Sequence, residues 1–113
     1  MSFDDILRRL FLQKNVESVI FLDSEGEEIF SYGEIDHDRL KLMGAYQGII
    51  LNCINRLELG NHRTVITRCE SGSILTHQLK DGYFICVLLN QEANVAQARF
   101  QFSDYFLSLE KEL

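Results

Sequence analysis

Proline is absent from the 113 residues, which argues against Pro-rich linkers and long rigid loops. No Gly/Ser-rich run and no internal repeat divides the chain, so one domain spanning residues 1–113 is expected. Basic residues are few: eleven Lys and Arg against seventeen Asp and Glu leave a net charge of -6. Those eleven are scattered, which counts against nucleic acid as a partner, because phosphate binding needs clustered cations. No apolar run approaches the roughly 18 residues of a membrane span. Asp4 and Asp5 stand where a signal peptide would carry positive charge. Cysteine is limited to Cys53, Cys69 and Cys86, an odd number without C-x-x-C spacing. Reduced thiols in a cytoplasmic protein are the expectation.

Catalytic constellations are missing as well. His37, His62 and His77 form no i, i+4 pair and have no cysteine at ligand spacing, so no metal site is expected. Ser71-Gly72-Ser73 lacks the spacing of a nucleophile elbow, and no glycine-rich loop precedes a Lys-Ser or Lys-Thr pair. Glu25, Glu27 and Glu28 crowd a turn that offers no burial to separate their pKa values, and they read as solvated charge. No enzyme activity and no cofactor is expected.

What the chain does have is a long unbroken stretch from His37 to Leu59. At 100° per residue, Met43, Tyr46, Ile49, Ile50, Cys53, Ile54 and Leu57 cover a broad apolar arc of a helix, the kind of face that packs on a sheet. Beside it runs a narrower seam of Leu40, Gly44, Gly48, Leu51 and Asn55. Each helix-interior glycine costs about 1 kcal/mol relative to alanine, so another contact is expected to offset the loss. Either the glycines make room for the protein's own sheet, or they let a second polypeptide approach closely. The second role is the preferred expectation. On it, alanine at both positions would stabilise the helix by about 1 kcal/mol each at most while weakening association.

The remaining elements follow in order. Ser2 caps a first helix with the stripe Phe3, Ile6, Leu7 and Leu10. Val16 to Asp23 and Glu27 to Tyr32 make a hairpin around Ser24-Glu25-Gly26. Asp36 caps the long helix and Leu59-Gly60-Asn61 ends it. Three strands follow, His62 to Glu70, Ile74 to Leu79 and Tyr83 to Asn90, with turns at Ser71-Gly72-Ser73 and Asp81-Gly82. Tyr83 to Asn90 is almost wholly apolar and should be central. The polar His62 to Glu70 should be an edge, open to pairing with another chain. Asn94 and Gln97 have capping-box spacing for a last helix with the stripe Val95, Ala98, Phe102, Tyr105, Phe106 and Leu109. Phe100 and Leu107 fall off that stripe.

This order and these lengths resemble the Roadblock family of dynein light chains and its bacterial MglB-like relatives. The resemblance is carried by the apolar run and turn Val16 to Gly26, by Asp81 to Leu88, and by the helix start Glu92-Ala93-Asn94-Val95-Ala96. It implies an α+β, profilin/longin-like fold of order αββαβββα: a five-stranded antiparallel sheet with the long helix on one face and the terminal helices on the other. It also implies a homodimer joined through the strand after the long helix, with the long helices packed together, serving as an adaptor for a small Ras-like GTPase. The interface expected is Leu40, Gly44, Gly48, Leu51, Asn55, His62, Thr64, Ile66 and Arg68. A small-molecule-sensing PAS- or profilin-like module, or a passive dimeric scaffold, is the alternative. Sensing would require a concave apolar pocket with a few converging polar groups.

Overall fold

The structure, a computed structural model, describes residues 2–33, 36, 38, 42, 44, 46–50, 53 and 64–113. The Ser2 side chain accepts from the Asp5 backbone N–H and caps the N-terminal helix, Phe3–Phe11. Asp4 and Asp5 lie in its first turn and Arg8 and Arg9 in its last, each sign at the dipole end that favours it. Ile6, Leu7 and Leu10 are buried. At the far end of the chain, Asn94 accepts from the Gln97 N–H and opens the C-terminal helix, Val95–Glu112. That helix buries the expected stripe, with Tyr105 only partly covered.

Between them lie β1 (Val16–Leu22), β2 (Glu28–Gly33), β3 (Thr64–Cys69), β4 (Gly72–Gln78) and β5 (Phe84–Asn90). All pairings are antiparallel and the order is β2-β1-β5-β4-β3. β5 is therefore central and β3 an edge, as its polarity predicts. In the β1–β2 turn, Asp23 Oδ1 accepts from the N–H groups of both Glu25 and Glu27, at 2.9 Å each.

Most strand ends shift by one residue, and the start of β4 shifts by two for a steric reason. Gly72 is not a turn residue but the first of β4, paired with Cys69 across a two-residue loop. A side chain there would start 2.1 Å from the Leu89 carbonyl oxygen of β5, so only glycine allows the close approach.

The sheet separates two apolar layers. On one face Val19, Phe21, Leu75, Ile85, Val87 and Leu89 meet the two terminal helices. Tyr32 of β2 stacks on Phe11 with ring centroids 5.8 Å apart and donates its hydroxyl to Asp4, tying the N-terminal helix to that edge. On the other face Ile20, Leu22, Phe84 and Cys86 form a second cluster, joined by Val65, Ile74 and Leu88. The long helix packs on this face, so the fold is α+β with one helix on one side and two on the other. Asp36 accepts from the Asp38 N–H at its start, while the stop expected at Leu59-Gly60-Asn61 lies outside the described residues.

Candidate interaction surface

At two described positions the long helix brings no side chain to the sheet. A Cβ on Gly44 would lie 2.7 Å from Leu22 Cδ2, and one on Gly48 would lie 2.8 Å from Phe84 Cζ. Ordinary carbon contacts are about 3.5–4.0 Å. The two glycines thus meet the protein's own sheet, and the expectation that they face a second polypeptide is corrected. Large side chains on β1 and β5 fill the space that helix side chains would otherwise occupy.

Between the glycines on the same face sits Gln47, only 4% exposed. Its Oε1 accepts from the hydroxyls of Thr67 at 3.3 Å and Thr76 at 3.2 Å. Thr76 in turn lies 3.6 Å from Cys86 Sγ. Burial pushes the Cys86 thiol up to about 12, with the Thr76 contact pulling weakly the other way. The sequence reading passed over Gln47. Its signal was a polar residue at the i+3 position from Gly44 and adjacent to Gly48, at the border of the seam.

With the glycines turned inward, the described residues of the broad apolar arc face outward. Leu42 is 59% exposed, Tyr46 59%, Ile49 58% and Ile50 36%, and Cys53 is exposed beside them. The expectation that Tyr46, Ile49, Ile50 and Cys53 are core is therefore overturned. At spacings of i, i+4, i+7, i+8 and i+11, residues 42, 46, 49, 50 and 53 share one helix face. Met43, Ile54 and Leu57 of the same arc lie outside the described residues, as do Leu40, Leu51, Asn55 and His62 of the expected interface.

The other expected positions are on β3. Among the described residues β3 pairs only with β4, leaving its outer backbone edge open. Thr64, Ile66 and Arg68 alternate onto the terminal-helix side of the sheet: Ile66 packs on that core, and Thr64 Oγ1 lies 2.7 Å from His77 Nδ1. Their side chains are thus on the opposite side from the exposed helix arc. What β3 shares with a neighbour in its plane is its backbone.

No protein-family model matches the sequence, and no curated protein matches it. Solved structures do. The chain superposes on a Roadblock/LC7 domain from Streptomyces avermitilis with a TM-score of 0.82 at 19% identity, covering 98% of this chain and 97% of that one. The fold is that of Roadblock/LC7 domains. Myxococcus xanthus MglB shares this Roadblock fold at a TM-score of 0.82 and 15% identity, with 98% of this chain and 96% of that chain covered. The profilin-like architecture is also evident in a LokiProfilin2–rabbit actin complex, matched at a TM-score of 0.66 and 14% identity over 100% of both chains. Among the described residues of this Roadblock fold, no group of three His, Cys, Asp or Glu side chains is placed to hold a metal ion. No described helix is long and apolar enough to cross a membrane.

Proposed function

We propose that this chain is a cytoplasmic, non-catalytic adaptor. It forms a homodimer through the outer arc of the long helix and the β3 edge, and the dimer binds a small Ras-like GTPase and modulates its GTP hydrolysis. The observation that carries the dimer is the arc of Leu42, Tyr46, Ile49, Ile50 and Cys53 facing water. Covering a large apolar side chain contributes about 1.5–3 kcal/mol, and a two-fold axis applies that gain to both copies. The open β3 edge extends the sheet in the same plane. The class of partner follows from the likeness to MglB-type domains, an argument from fold.

The two parts have separate tests. Sedimentation velocity should give twice the 13.1 kDa chain mass for the wild type and the single-chain mass for Ile49→Glu, with an unchanged far-UV spectrum. A wild-type monomer at tens of micromolar would remove the dimer. Capture from a lysate of the source organism, run with GDP and with a non-hydrolysable GTP analogue, should recover a small GTPase in one nucleotide state. A dimer that captures none in either state is a passive scaffold.

A further inference from the structure

A cavity of about 370 Å³ opens between the C-terminal helix and the β3–β4 edge, on the sheet face opposite the exposed arc. It is lined by Thr64, His77, Arg99, Ser103, Phe106, Leu107 and Glu110. Ligand pockets span roughly 300–1,000 Å³, so its size suits a small molecule. On the inner wall the His77 ring lies flat on Phe106, centroids 4.4 Å apart and 11° from parallel. Leu107, more than half exposed, supplies an apolar flank with no covering partner among the described residues.

The polar groups decide what can enter. The Thr64 hydroxyl is engaged with His77 Nδ1 at 2.7 Å, and the Ser103 hydroxyl donates to the Phe100 carbonyl at 2.7 Å. Glu110 and His77 are likewise not free. Arg99 differs from them: among the described residues its guanidinium has no hydrogen-bond or ion-pair partner. A ligand with several hydrogen-bonding groups would find few unsatisfied partners here. One with an apolar body and a single anionic head would give Arg99 the counterpart it lacks among the described residues.

Glu110 does not cancel this preference. Its backbone position lies eleven residues further along the helix, about 16 Å of axial rise beyond that of Arg99, and Glu110 is already engaged in an interaction of its own. A guanidinium also matches a carboxylate with two parallel hydrogen bonds.

We propose that this cavity binds a small anionic amphipath, a carboxylate with an apolar tail, its head on Arg99 and its tail along Leu107 and Phe106. The site is independent of the dimer and GTPase reading and stands or falls separately.

The probe is octanoate, titrated into isotope-labelled protein and followed by backbone amide NMR, with octylammonium as the tail-matched cation. Saturable shifts are expected at Thr64, His77 and residues 99–110, with octylammonium at least tenfold weaker. Arg99→Gln, at an exposed position with no described partner to lose, should weaken octanoate at least tenfold, and Arg99→Lys, which keeps the charge but not the paired hydrogen bonds, should restore only part of the affinity. Equal binding to Arg99→Gln, equal binding of octylammonium, or shifts confined to Leu42, Tyr46, Ile49 and Ile50 would overturn the assignment. So would shifts at residues 99–110 that appear on concentrating the protein alone, since a second copy would then be the occupant.

Discussion

Replacing Gly48 by alanine would place a methyl carbon 2.8 Å from Phe84 Cζ and 3.3 Å from Cε1, an overlap of about 0.7 Å or more against a normal carbon contact. Phe84 is 4% exposed at the start of the central strand, walled in by Ile20, Leu22 and Cys86, and its ring tip cannot move without disturbing them. Two terms compete. Helix propensity favours alanine by about 1 kcal/mol, while overpacking a filled core costs about 1–3 kcal/mol. The net is a loss of roughly 0–2 kcal/mol, centred near 1, or about 4 °C in Tm for a domain of this size. Urea unfolding at one fixed protein concentration measures it, since association would otherwise shift the midpoint. A double-mutant cycle isolates the cause. With Phe84→Leu the ring tip is gone, so adding Gly48→Ala should now stabilise by up to about 1 kcal/mol. A Gly48→Ala protein that gains about 1 kcal/mol with Phe84 in place would refute the reasoning, because the methyl would then be pointing into open space.

Three other substitutions probe the same layer. Gln47→Ala leaves the Thr67 and Thr76 hydroxyls without their acceptor and should cost about 1–3 kcal/mol in urea unfolding; no loss would show that the helix is not anchored there. Ser18 is fully buried and its hydroxyl has no hydrogen-bond partner among the described residues, so Ser18→Ala should raise stability, by on the order of 1 kcal/mol. Cys53 and Cys69 are exposed and Cys86 is buried, so a thiol reagent should label two cysteines of the Ile49→Glu variant at pH 8 and the third only in urea. The Cys86 thiol, raised to about 12 in the folded state by burial, binds its proton more tightly than in the unfolded chain. Its contribution to stability is fully present below the unfolded value of about 8.5 and is lost as pH rises toward 12. The urea midpoint should therefore fall between pH 8 and pH 10 by more in the wild type than in Cys86→Ala.

Most of the fold was legible because local signals and global pattern agreed. Side-chain oxygens at Ser2 and Asn94 mark both terminal helices, and the polarity contrast between β3 and β5 places one at the edge and the other at the centre. Gly72 was read as a turn residue because proximity to Leu89 is a contact across strands that no local window contains. At its described positions the long helix has the two expected faces exchanged. The rule applied there, that the broadest apolar arc of a helix is its core face, assumes that the chain buries its apolar surface against itself.

That assumption fails when the sheet brings the bulk. Leu22 and Phe84 project far enough to meet the helix at Gly44 and Gly48, with Gln47 bonded between them, so at these described positions the sheet supplies the volume that close packing needs. The apolar arc is then free for other use. Leu42, Tyr46, Ile49, Ile50 and Cys53 each cost solubility when left in water, and a chain that needed only its own core could carry polar residues at all five positions without touching Leu22 or Phe84. The glycines and the exposed arc are therefore two consequences of one arrangement. Close helix–sheet packing through small residues frees the large ones on the same helix for a surface that another polypeptide can cover.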